Sequence, residues 1–410
     1  LTGNGAATGL QGLSVAGSAV AGSVIHGSAV NDSLTAGAEG STYNGNAGTD
    51  AFSATAAIIL ADGATDIVLN GGAGTDTLTL TNTTGNTITD THFTNISNME
   101  GLTLTNTGAG DTSITTGAAF NTAFSDGITI TSGVIAATKD ITISAGLSTV
   151  DMVVSIASTS QTGATTETNS IVTGSGADTV TYTDASWVGA TANNASGTFA
   201  VDTNGGDDTI SLTFGTLTGD ITASFITVAG GAGQDAMTVA AAKVNAPDTN
   251  NVRGHVTFTF AAGDSDTVSY DTITGFDLAT ASLVSDGLDF EGSAAVTDFT
   301  ANNDFGVVKS HSVSTGIITF DDSSSFLAAL TINSGNLADV VGYLQANLAA
   351  NDTAAFTFDS TGDGAVDGTM VFHQGSAATV ADDMVFLAGI TASDRLVTTN
   401  DEGADDLFIA

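Results

Sequence analysis

The residues best placed to do chemistry in this chain are aspartates that follow glycines at a fixed distance. One nine-residue phrase occurs twice in full, as Gly71-Gly72-Ala73-Gly74-Thr75-Asp76-Thr77-Leu78-Thr79 and as Gly230-Gly231-Ala232-Gly233-Gln234-Asp235-Ala236-Met237-Thr238. Glycines at 72, 74, 231 and 233 let the backbone take positive φ and aim carbonyl oxygens at one point, while Asp76 and Asp235 add carboxylate oxygens. Hard oxygen donors of these two kinds are what a calcium ion takes. Shorter versions keep a Gly two residues before the Asp: Gly48 and Asp50, Gly176 and Asp178, and Gly206 with Asp207 and Asp208. Two looser ones, Asn31-Asp32-Ser33-Leu34 and Asp264-Ser265-Asp266-Thr267-Val268, keep the Asp and the apolar exit after it.

A second oxygen-rich loop lies near the C-terminus. Asp359, Thr361, Asp363 and Asp367, with Gly364 at the bend, reproduce positions 1, 3, 5, 9 and 6 of an EF-hand-like loop. The bidentate Glu of position 12 is replaced by Met370. The same residues also read as an Asp-Gly hairpin between Phe356-Thr357-Phe358 and Met370-Val371-Phe372, and the sequence leaves both readings open.

These turns must be held by strands. Thr77-Leu78-Thr79-Leu80-Thr81, Ile128-Thr129-Ile130-Thr131 and Ile141-Thr142-Ile143-Ser144 alternate apolar with hydroxyl side chains, which puts one row inward and one outward. Successive signature aspartates 32, 50 and 76 stand 18 and 26 positions apart, and 178, 208, 235 and 266 stand 30, 27 and 31 apart. Eighteen is one coil of a narrow β-roll, and the longer steps suit a wider β-helix. The fold expected is all-β: a parallel, right-handed β-helix or β-roll-like solenoid over 1–250 with calcium turns along one edge, and irregular coils between 81 and 171 where the signature lapses. A set of β-sandwich modules is the alternative. Over 251–410 the expectation is a β-rich region with one short helix, because Leu337, Val340, Val341, Leu344 and Leu348 fall at helical spacing. Ser334 or Asn336 is a candidate cap, and the helix is expected to cover the open end of the solenoid.

Composition narrows the function. Five Lys plus Arg against 44 Asp plus Glu give a net charge of -39, which excludes the electrostatic footprint of a nucleic-acid binder. A chain so acidic repels itself when compact, and bound divalent cations relieve that repulsion. The absence of Cys removes disulfides, thiolate catalysis and cysteine zinc sites together. No apolar stretch reaches the ~18 residues of a membrane span, so the chain is expected not to be membrane-spanning. It opens at Leu1 without a charged-then-apolar leader, and is read as a processed form or a piece of a longer polypeptide.

The glycine–aspartate phrases resemble the RTX family of calcium-dependent proteins exported by type I secretion. Asp266-Thr267-Val268-Ser269-Tyr270-Asp271-Thr272-Ile273-Thr274-Gly275-Phe276-Asp277 is similar to the segment that closes the roll in secreted serralysin-type proteases. The order helix 336–348, loop 359–367, strand Met370-Val371-Phe372 and then Asp382-Asp383-Met384-Val385-Phe386 resembles the C-terminal part of Caulobacter-type surface-layer proteins, as does Phe93-Thr94-Asn95-Ile96-Ser97-Asn98-Met99-Glu100-Gly101. The resemblance implies a calcium-loaded, secreted protein at the extracellular cell surface that assembles with copies of itself into a layer or filament. It also implies a C-terminal export signal over 391–410, a stretch that reads equally as a last strand. An outer-membrane polysaccharide would be reached through a region not in this chain. Full nonapeptides never run in tandem here, so a cation shared between turns requires stacked coils to bring separate copies together.

Catalysis is not expected. The five His are far apart and never form His-Glu-x-x-His, and there is no Gly-x-Ser-x-Gly elbow. Two other roles fit the same residues: an RTX adhesin that binds a foreign cell or surface, and the non-catalytic tail of a secreted hydrolase.

Overall fold

A computed structural model describes residues 12–409 apart from 18–19, 61–65, 82–84, 86, 106–109, 133–138, 159–160, 163–167, 189–195, 219–222, 242–255, 279–285, 291, 300–302, 376–381, 392–395 and 399–405. The chain divides into two compact units, Leu1–Gly189 and Ala190–Ala410. The boundary expected at 250 lies outside the described residues.

The first unit is a parallel β-solenoid. Ser14–Ala16, Ser33–Thr35, Ala51–Thr55, Thr77–Thr81, Gly101–Thr105, Ile128–Ser132, Met152–Ser158 and Thr179–Val188 stack in parallel as one face. Parallel pairing throughout rules out the sandwich alternative, which needs antiparallel strands. Register puts Leu34, Phe52, Leu78, Leu102, Ile130, Val154 and Val180 directly over one another, and none is more than 1% exposed. This apolar column is the core. The intervening threonines and serines face outward, as the period of two requires.

The coils widen along the unit. The first ones have two faces, the second built from Val24–His26, Thr42–Ala47, Val68–Ala73 and Ile96–Ser97. From Thr87–Ile88 onward another parallel face appears, continued by Thr112–Thr115, Ile141–Ser144 and Thr168–Val172. At this transition, where the signature lapses, a short helix Ala118–Ala123 brings Phe120 and Phe124 against Phe93, with Phe93 and Phe120 ring centres 5.1 Å apart. The Asp90 carboxylate accepts from the N–H groups of Ala119 and Phe120 and caps that helix.

The second unit repeats the scheme with two parallel faces, Thr209–Thr218, Ala236–Ala241 and Asp271–Thr274 on one and Ser196–Asp202, Ala223–Ala229, Val256–Phe260 and Gly287–Phe290 on the other. Both faces are closed at the C-terminal end. Asp383–Ala388 pairs with Asp271–Thr274, and Asp406–Ile409 pairs antiparallel with Gly287–Phe290. Of the expected export stretch, the described parts are therefore two paired strands, Leu396–Thr398 and Asp406–Ile409. Asp352–Phe358, Gly368–His373 and Asp383–Ala388 form an antiparallel sheet whose core receives the helix Leu337–Asn347 through Val340, Tyr343 and Leu344. The helix has the expected bounds but a different place. It packs on Phe320, Phe356, Met370 and Met384, and strands rather than the helix cover the solenoid end. Among the described residues no helix is long and apolar enough to cross a membrane.

Candidate metal centre

Register converts separate glycine–aspartate phrases into vertical columns. Asp32, Asp50 and Asp76 each stand just before the paired strands Ser33–Thr35, Ala51–Thr55 and Thr77–Thr81, and they lie one above another. Their carboxylates are almost wholly buried. Each accepts the amide of the coil before it: Asp32 N–H donates to Asp50 Oδ1 and Asp50 N–H to Asp76 Oδ1, both at 2.7 Å. Asp76 N–H donates in turn to Glu100 Oε2 at 2.6 Å. The column then turns apolar at Ile128 and Met152, and Met152 N–H donates to Asp178 Oδ1 at 2.7 Å. In the second unit Asp208 N–H donates to Asp235 Oδ1 and Asp235 N–H to Asp271 Oδ1, both at 2.8 Å. Asp271 N–H ends the series on Ser265 Oγ.

A second ladder runs beside the first in the opposite sense. The side chain one residue before the column accepts from the following coil: Thr49 N–H donates to Asn31, Ala177 N–H to Asp151, and Gln234 N–H to Asp207. Asp207 is thus an exposed outer-ladder residue beside the buried Asp208.

The glycines serve these columns in two ways. Gly48, Gly74, Gly206 and Gly233 share φ between 127° and 146°, and a β-carbon on Gly74 would fall 1.7 Å from the Gly48 carbonyl oxygen. Gly72 and Gly231 are left-handed and press on Asn46 and Asn204 of the preceding coil. Gly176 lacks positive φ; it is needed because Asp151 lies against it, with Oδ1 2.8 Å from where its β-carbon would be. Sequence reasoning overlooked a further set five residues before the Asp, at Gly27, Gly45, Gly71 and Gly230. A β-carbon on Gly45 would sit 2.2 Å from Asp50 Oδ2 and 2.3 Å from the Gly71 carbonyl oxygen. One on Gly71 would sit 2.5 Å from Asp76 Oδ2 and 1.9 Å from the Asn98 carbonyl oxygen. Strand pairing between Thr42–Ala47 and Val68–Ala73 is interrupted at this same step, Gly45 beside Gly71.

The second carboxylate oxygens are where the chemistry lies. Asp50 Oδ2, Asp76 Oδ2, Asp235 Oδ2 and Asp271 Oδ2 are buried without a hydrogen-bond partner among the described residues. Burial pushes the Asp50 carboxyl up to about 6, with Asp76 and Asp32 adding like-charge repulsion. Burial likewise drives Asp235 to about 7 and Asp271 to about 9, with the neighbouring column aspartate contributing in each case. Asp76, Glu100 and Asp178 move in the same direction for the same first cause. A buried carboxylate oxygen without a hydrogen-bond donor is an arrangement that a cation or a proton relieves.

Among the described residues no group of three or more His, Cys, Asp and Glu is arranged to hold a metal ion. A cation at the column would therefore take a mixed set, one carboxylate oxygen and the carbonyl of the next coil at each step. At Asp50 with Gly71, and at Asp76 with Asn98, the unpartnered Oδ2 and a carbonyl oxygen of the next coil both lie against the same glycine, Gly45 or Gly71, and would be two of the donors such a cation needs. Asp32 differs, because the Ser28 N–H and hydroxyl already donate to its carboxylate.

The remaining expected ligands fall elsewhere. Asp266 is not in the column; its Oδ1 accepts the local amides of Val268 and Ser269, and Asp271 takes the column position 36 residues after Asp235. Both have the Asp-x-apolar exit, so spacing alone chose the nearer one. Asp264 is half-buried, accepts from Ala261 N–H, and with Asp202 and Asp289 lines an open cavity of about 540 Å³. The loop of Asp359, Thr361, Asp363 and Asp367 is a hairpin joining Asp352–Phe358 to Gly368–His373. Its carboxylates accept the loop's own donors: Gly362 and Gly364 N–H on Asp359, Ser360 Oγ and Thr361 N–H on Asp367, and Ala365 N–H on Asp363. Those hydrogen bonds hold Asp367 below the usual carboxylate range.

Fold and site together define a parallel β-solenoid whose corner carries a buried carboxylate column. No protein-family model, curated protein or solved structure matches this chain.

Proposed function

We propose that this chain is a structural, calcium-dependent protein that works outside the cell and assembles with copies of itself into a surface layer or filament. The observation that carries the reading is the set of partnerless buried oxygens at Asp50, Asp76, Asp235 and Asp271, two of which, at Asp50 and Asp76, converge with a carbonyl of the next coil. Calcium bound there supplies the positive charge that the column lacks. The chain's own residues do the rest: the glycines bring the oxygens together, the Oδ1 bonds fix their direction, and the stacked apolar column keeps water away. The outward rows of Thr and Ser, with few long side chains, suit close repetitive packing of copies, and the role is structural rather than catalytic.

Extracellular calcium at millimolar levels is enough to load modules with dissociation constants of roughly 10⁻⁴ to 10⁻³ M. The test is electron microscopy and light scattering of the purified chain in chelator and then in millimolar calcium. Ordered sheets or filaments that form only with calcium support the proposal. A folded chain indifferent to calcium overturns it.

A further inference from the structure

A ring that can take a charge continues the aromatic interior of the second unit. Phe260 and Phe290 stand in register on successive coils and stack, with ring centres 4.9 Å apart and planes 19° from parallel. The next ring in the stack is His373, brought in by the strand Gly368–His373 and lying 5.2 Å from Phe290 at 11°. His373 is 3% exposed. Its Nδ1 lies 2.8 Å from the Thr353 hydroxyl, and register sets it between Thr353 and Asp383 of the neighbouring strands. Asp383 begins the strand Asp383–Ala388 that pairs with Asp271–Thr274, and its Oδ1 accepts the Gly263 N–H. One imidazole thus sits at the joint between the last parallel coils and the antiparallel sheet that closes them.

We infer that His373 is an acid-sensitive latch: charging its ring frees the antiparallel sheet from the last coils of the second unit and bares the strand edge of Asp271–Thr274. Charging makes both ring nitrogens donors, so the Thr353 hydroxyl can then only accept, and it places a cation against Phe290 in a buried position. The carboxylates on the elements around the ring are engaged elsewhere. Asp382 accepts from Gln345, Gln374 and Gly375, Asp383 from Gly263 and Ser265, and Asp352, on the strand of Thr353, from Ala349. Asp289, on the strand of Phe290, lines the open cavity. Asp383, pushed up to about 7 by burial, is itself largely uncharged over the range in which His373 would charge. Burial holds His373 down at about 4, although Asp382 pulls the other way. The folded chain therefore refuses a proton that the opened chain accepts, so the joint is firm above the ordinary histidine value of ~6.5 and weakens as pH falls toward about 4. The column carboxyls have the opposite sign, since their raised values favour the folded chain in acid. The latch does not rest on the calcium reading, because it uses no column oxygen.

The experiment is hydrogen exchange of the full chain, read by mass spectrometry on peptides covering 271–274 and 368–373, from pH 7 to pH 4.5 with intrinsic rates divided out, in chelator and in millimolar calcium. It is run on the unaltered chain, on His373→Phe, which keeps the stack without the charge, on His373→Gln, and on His311→Gln. His311 is the control, a second buried histidine of the same unit, whose Nδ1 lies 2.8 Å from the Tyr343 hydroxyl. The expected result is exchange at both segments that quickens about 50-fold between pH 7 and pH 4.5 in either condition, stays level in both His373 variants, and still quickens in His311→Gln. Equal protection across the range in the unaltered chain overturns the inference, and so does an acceleration that survives in His373→Phe and His373→Gln. An acceleration lost in His311→Gln, or seen only in calcium, overturns it as well, the first by moving the sensor and the second by reporting loss of a cation.

Discussion

Replacing Asp76 by Asn separates what the carboxylate does as a hydrogen-bond acceptor from what it does as a charge. Asn keeps an Oδ1 that accepts the Asp50 amide, now as a neutral bond, and puts an NH₂ where Oδ2 faced the Asn98 carbonyl oxygen. In chelator that substitution replaces a buried oxygen that lacks a hydrogen-bond partner by an amide donor on the side of the Asn98 carbonyl, and removes a charge that burial already disfavours. One new hydrogen bond is worth about 1 kcal/mol, so Asp76→Asn is expected to stabilise the calcium-free chain by about that amount. In calcium the sign reverses. A site with a dissociation constant near ~10⁻⁴ M contributes about 2 kcal/mol at ~5 mM calcium, and the variant forfeits most of it. Urea unfolding followed by circular dichroism, run on both proteins with and without calcium, reads the four numbers. Destabilisation in chelator refutes the unpartnered Oδ2 as a cost to the calcium-free chain, and an unchanged calcium increment refutes Asp76 as a ligand.

Four further outcomes follow, three of them from the same columns. In chelator, stability is expected to fall as pH rises from about 4 to about 9: carboxyls whose folded pKa stands above the unfolded value hold protons that the unfolded chain releases, and Asp50, Asp235 and Asp271 reach about 6, 7 and 9. Calcium should flatten that slope, and a melting series across pH in both conditions tests it. Asp208→Ala/Asp235→Ala should lower the calcium stoichiometry measured by titration calorimetry and strip the Asp208 amide of its acceptor, a loss of about 2 kcal/mol. Gly233→Ala should cost at least ~2 kcal/mol in the same unfolding assay, because φ of 146° strains an L-residue and its β-carbon would lie 1.9 Å from the Gly206 carbonyl oxygen. Leu344→Ala should cost about 2–5 kcal/mol through the cavity left under Phe320 and Met370, with no change in calcium binding.

How far the sequence could be read depended on whether coil length was uniform. Asp32, Asp50 and Asp76 are each followed by Ser, Ala or Thr and then an apolar residue, and the 18- and 26-residue steps between them are true coil lengths. Glu100 escaped because its turn is shorter and its longer side chain makes up the reach to the same amide, so neither the residue type nor the glycine before it matches the phrase. Asp271 escaped because 36 residues separate it from Asp235 and a competing Asp266 stood nearer the expected step. Glycines in strained turns were legible from their φ-permissive type, whereas Gly45, and Gly71 at the head of the repeated phrase, are required by the pressure of their own column aspartate and of a carbonyl in the next coil, which the phrase alone does not announce. The helix Leu337–Asn347 was legible from its period, but its docking partners are strands far along the chain.

The direction of the inner ladder carries a consequence for how the chain is made. Through Oδ1, the buried aspartates of the column accept a corner amide of the coil before them. Where the ladder runs, a chain growing from its N-terminus therefore carries a corner whose amide is waiting for residues not yet added; at Glu100, whose N–H donates back to the Asp76 carbonyl oxygen, the wait is interrupted. Ser265 ends the sequence of debts in the second unit by supplying the hydroxyl for Asp271 from within the same coil. Along these stretches of the column the solenoid has a built-in arrow of assembly, and the coil of Asp271 is self-sufficient at the corner.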